Sequence, residues 1–145
     1  MNLTKALKHK KKLIKQADEM YMRFQRYNSQ VKENVDKGYD PAQAYESWLR
    51  LTNELVDLKT KIHNANAPIA NKIFRLGELK NLVSRLRNVD TKSGLIKENR
   101  YSDSAPIEYV AFMNLFTKDE IVVSWEQEIE TIQEEIEAFN AITKI

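Results

Sequence analysis

The sequence predicts an all-α or mostly α fold: a long antiparallel helical hairpin or bundle of four heptad-patterned helices, with a short extended or β-hairpin insert near residues 95–116. Three observations predict it. Apolar residues recur in alternating steps of three and four, the spacing of a helix stripe that seeks a neighbour. Glycine and proline are scarce, three of each in 145 residues, too few to punctuate many short strands. Two segments open with the residue types that cap a helix N-terminus. The length predicts a single helical domain over residues 1–145.

The first segment is a heptad seam, Leu3, Leu7, Lys10, Ile14, Ala17, Tyr21, Phe24, Asn28, Val31 and Val35. A further row, Ala6, Leu13, Met20 and Tyr27, widens the stripe to bundle width. The segment predicts a helix on the order of 50 Å long at 1.5 Å per residue, stopped by Gly38. The polar seam residues Lys10 and Asn28 are of the kind that fix register or oligomer state. A second helix opens at Asp40 as cap, Pro41 in the first turn and Gln43 completing a capping box. Its seam is Ala44, Trp48, Leu51, Leu55, Leu58, Ile62 and Ala65, and the short connection folds it back antiparallel on the first. Pro68 ends it, because the residue before a proline avoids helical geometry.

A third helix is expected over residues 70–90. Ile73, Leu76, Leu79, Val83 and Leu86 lie on one side, and Lys72, Arg75, Lys80, Arg85 and Arg87 are exposed. Residues 95–116 break the pattern, and Ile107-Glu108-Tyr109-Val110-Ala111-Phe112 has β-type composition after Pro106. A lone hairpin is marginal in water and must pack on helices or on another subunit. Thr117 and Glu120 form the capping box that opens the last helix, with Val122, Trp125, Ile129, Ile132, Ile136 and Phe139 as its seam.

Composition excludes several functions. No cysteine is present, which removes disulfides, thiolate catalysis and cysteine-based zinc or iron–sulfur centres. No apolar run reaches the roughly 18 residues of a membrane helix, and the lysine-bearing N-terminus lacks a signal-peptide core. The expected location is the cytoplasm, without membrane contact. Net charge is +2, unevenly spread. Residues 1–16 carry six lysines and no acid, and residues 117–145 carry eight acids against two lysines. Opposite blocks of this kind are expected to lie side by side, or to meet across a subunit contact.

Three local patterns resemble a known family. They are the opening Leu3-Thr4-Lys5-Ala6-Leu7, the Ile62…Asn64-Ala65-Asn66-Ala67 end of the second helix, and Arg100-Tyr101-Ser102 leading through Glu108-Tyr109-Val110 into the last helix. Together they are similar to the septicolysin-like family of small bacterial helical proteins, over nearly the whole chain. The resemblance implies architecture, long helices around a short extended insert, and no defined activity. The terminal Asn140-Ala141-Ile142 departs from the Asn-Trp pair expected of that family.

Catalytic motifs are lacking. His9 and His63 have no carboxylate or second histidine at metal-ligand spacing, so neither a zinc nor a di-iron site is expected. Glu126, Glu130, Glu134 and Glu137 form a row that reads as a solvated or ion-paired face rather than a cation site. No serine-nucleophile motif or phosphate loop is present. No catalytic residue, metal or cofactor is expected.

The leading expectation is a non-enzymatic, self-associating helical protein, a homo-oligomer of coiled-coil type, acting as a binding or scaffold module. One alternative is a sponge-like oligomer that sequesters a small phosphorylated or nucleotide-like ligand in an inter-subunit pocket. In that reading Arg75, Arg85, Arg100 and Tyr101 clamp and stack on the anion, and Asn64 and Asn66 read its polar groups. The other alternative is nucleic-acid binding through the face bearing Lys5, Lys8, Lys12 and Lys15. The sequence disfavours nucleic acid as a partner, because that cluster holds no arginine and no interleaved aromatic.

Overall fold

A computed structural model describes residues 1–35, 38, 40–97 and 105–145. Four helices carry the fold: α1 (Leu3–Tyr27), α2 (Pro41–Asn66), α3 (Ala70–Arg87) and α4 (Leu115–Ile142). Two strands, β1 (Gly94–Ile96) and β2 (Ile107–Tyr109), pair antiparallel with Leu95 opposite Glu108. The mostly helical class and the short hairpin insert are therefore as the sequence predicts. The chain divides into two compact units. The first holds Met1–Ile69 and Glu137–Ile145, and the second holds Ala70–Ile136.

In the first unit α1 and α2 form the antiparallel hairpin. Leu3, Ala6, Leu13, Ala17, Leu51, Leu58 and Ile62 are its buried core, flanked by Leu7, Trp48, Leu55, Ala65 and Phe139. The hairpin ends in an aromatic cluster, with Tyr21 on Trp48 at 5.0 Å and Phe24 on Tyr45 at 5.2 Å between ring centroids. Offset and tilted ring pairs at such distances add to the stabilisation from area burial. The unit is closed by its chain ends. Asn2 caps α1 by accepting from the Lys5 amide at 2.9 Å, and its Nδ2 donates to the Ala141 carbonyl at 3.1 Å. The Leu3 amide donates to the Thr143 carbonyl at 2.8 Å, and the Ile145 amide to the Met1 carbonyl at 3.1 Å.

The first helix is shorter than its seam. It stops at Tyr27, a 3-10 turn follows at Lys32–Asn34, and Val31 and Val35 are exposed. The two ring pairs keep one register, which sets Pro41 opposite Asn28, so a longer α1 would run past the end of its partner. Asn28 and Ser29 favour the break, since short polar side chains compete with helical backbone bonds. Gly38 does not stop the helix; it stands at φ +100° in the connection before α2, a conformation that suits glycine. Asp40 caps α2 as expected, accepting from the amides of Ala42 at 3.0 Å and Gln43 at 3.3 Å.

In the second unit α3 buries Leu79 and Val83, with Ile73, Leu76 and Leu86 half-buried on the same side. Val122 and Ile132 are the buried residues of α4. The last helix begins earlier than its sequence signal. Asn114, not Thr117, is the cap: its Oδ1 accepts from the Thr117 amide at 2.7 Å. Among the described residues no helix is long and apolar enough to cross a membrane.

Candidate functional site

Charge is the chemistry this surface offers, and helical phase decides where it goes. On α3, Lys72 and Arg75 lie seven and four residues before Leu79 and Arg87 lies four after Val83, so these cations flank the buried stripe at its edges. On α4, Glu126, Glu128 and Glu135 answer them. Lys72 meets Glu135 at 2.8 Å, Arg87 meets Glu126, and Arg75 grips Glu128 with two parallel bonds of 3.0 and 3.2 Å. The fork geometry suits arginine to a carboxylate. The Glu128 hydrogen bond, and then its charge, hold the Arg75 guanidinium above its ordinary pKa.

The acidic helix thus spends these carboxylates on α3 rather than on the N-terminal lysines. Of the acidic block only Glu137 belongs to the unit that holds the N-terminal lysines, and backbone bonds join the ends of that unit. Among the described residues, none of the lysines in residues 5–15 stands within ion-pair distance of an acid. Lys8 and Lys11 line a cleft of about 500 Å³ with Thr4, Leu7, Glu137 and Asn140, and Glu137 does not close on either lysine. The Asn140 Oδ1 there is buried without a partner.

The six residues singled out by sequence are dispersed. Asn64 is exposed in the last turn of α2, and Asn66, at its end, is half-buried with an unpartnered Oδ1. Arg75 is held by Glu128, so it is not available as an anion clamp while that pair stands. Arg85 is exposed on α3 and meets no acid among the described residues. Arg100 and Tyr101 lie outside the described residues. His9 and His63 are both exposed, and no group of three or more potential ligands gathers to hold a metal among the described residues.

Two features escaped the sequence reading. Lys118 Nζ donates to the carbonyls of Arg87 at 2.9 Å and Val89 at 2.8 Å, placing a cation at the negative end of α3. Asp90 accepts from the Lys92 amide at 2.9 Å, which with the charges of Lys92 and Lys118 holds its carboxyl below the ordinary aspartate pKa. The Asp90-x-Lys92 turn was a legible signal; the reach of Lys118 was not. No family model, no curated protein and no solved structure matches the chain.

Proposed function

We propose that this chain is a non-enzymatic helical module that works by association, first with copies of itself. One observation carries the reading. The second unit holds large apolar side chains in solvent that a second copy could cover. Phe112 is fully exposed, Val110 is 90% exposed, and Leu95 and Phe116 are 72% and 71% exposed. All four belong to the second unit, where the two-stranded sheet is too small to be stable by itself.

Binding rather than catalysis fits the polar groups. Among the described residues no charged side chain is buried, and the two buried, unpartnered side-chain oxygens, on Asn66 and Asn140, belong to amides that do not titrate. Size-exclusion chromatography with light scattering tests the reading. The expected result is an oligomer at micromolar concentration that Phe112→Ser with Phe116→Ser weakens by about tenfold or more. A strict monomer overturns it.

A second reading, sequestration of a small phosphorylated or nucleotide-type ligand between subunits, keeps one observation in its favour. The Asn66 Oδ1 is a buried acceptor that lacks a donor. Nucleotides at millimolar concentration should then raise the melting temperature by mass action, and an unchanged melting curve removes the reading.

A further inference from the structure

The first helix turns its core face inward through Leu3, Ala6, Leu13 and Ala17, all buried. At 100° per residue the opposite face is set by Lys5, Lys8, Lys12 and Lys15 and, past Glu19, by Arg23 and Arg26. All six cations are exposed. Because α1 is one continuous helix from Leu3 to Tyr27, the lysine cluster and the two arginines form a single stripe on the order of 30 Å long. The cluster read from sequence held no arginine; helical phase supplies two.

We propose that this stripe binds the phosphate backbone of duplex nucleic acid. Successive cations rise by about 5 Å along the axis within the lysine run, close enough for neighbouring phosphates each to meet one. Among the described acids of the last helix, Glu126, Glu128 and Glu135 are paired to α3, and Glu137, which lines the cleft beside Lys8, makes no ion pair with it. An anionic membrane is the weaker occupant. An interfacial helix inserts its apolar face into the lipid, and the apolar face of α1 is already packed on α2. Single strands are disfavoured too. They need aromatic platforms for stacking, and the Tyr21 and Phe24 rings of α1 turn to Trp48 and Tyr45 instead. Backbone charge is shared by every sequence, so recognition is of the duplex and not of its bases.

This surface is separate from the apolar one invoked for self-association, and the test separates them as well. A 20-base-pair DNA duplex is titrated into the full chain by fluorescence anisotropy across a salt series. Binding should weaken with salt at a log–log slope of about −4 to −5, for five or so phosphates contacted. Lys8→Gln, Lys12→Gln and Lys15→Gln together should make that slope shallower by about three. Arg23→Ala with Arg26→Ala should make it shallower again. A control carries the same charge change elsewhere, with Lys59→Gln, Lys80→Gln and Lys97→Gln, and should retain the original slope. Circular dichroism confirms that each variant is helical, as expected for exposed positions. No duplex binding at low salt, equal loss in the control, or binding only to phosphatidylserine vesicles or to single strands each overturns the proposal.

Discussion

Single side chains decide where the elements of this protein begin and end. Thr117 and Glu120 have the spacing of a capping box, yet the Asn114 side chain takes the Thr117 amide and starts α4 three residues earlier. Both signals were present in the sequence. What separates them is which backbone is already turned, and spacing does not report that. Asn114→Ala should therefore cost about 1 kcal/mol in urea denaturation, while Thr117→Ala, inside the first turn, should be close to neutral. Asp90 gives a second test at this scale. Its folded pKa is lowered, chiefly by the Lys92 amide, so the unfolded chain binds the proton more tightly than the native one. The stabilisation it brings is complete above the ordinary aspartate pKa, near 3.9, and is lost as pH falls through the lower folded value. A carbon-detected titration of the Asp90 carboxyl should show a midpoint below 3.9, and Lys118→Met should move it upward by removing a nearby positive charge.

At the scale of elements, periodicity was the legible part. The inward residues of α3 are those its spacing selects, and α2 opens at the proline beside its cap. Leu13, 2% exposed, sits in the core of the hairpin, so Leu13→Ala should destabilise the fold by about 2–5 kcal/mol. Ile14, its neighbour in the chain, is 38% exposed, and Ile14→Ala should cost less in the same denaturant series. The extent of α1 was not legible. Val31 and Val35 keep the heptad beat, but a seam forms a helix only while something faces it, and the register with α2 runs out at Asn28. Pairing between helices was hidden for a similar reason. Charge blocks show that α4 needs cations and leave open whether α1 or α3 provides them. Of the candidate residues, Arg75 was correctly placed as an exposed basic group, and its engagement with Glu128 depends on a distance that sequence does not encode.

For the whole molecule the decisive quantity is surface left over. A chain with 42% hydrophobic residues has the material for a larger core than it builds: among the described residues thirteen apolar side chains are buried, and three, Leu3, Ala6 and Leu79, are sealed completely. If copies of the chain cover the remainder, the melting temperature must rise with protein concentration, because association draws on the folded state alone. Calorimetry over a hundredfold concentration range should show that rise, and a constant melting temperature would leave each chain to stand by itself. The fastening of Asn2 against Lys144 carries a different consequence. The Leu3 and Ile145 amides reach carbonyls at the far side of this seam, so the residues between form a closed loop when native and an open one only when denatured. A cross-link made across that seam would ask little of the native geometry and would strip freedom from the denatured ensemble, a gain of about 5 kcal/mol for a loop this long.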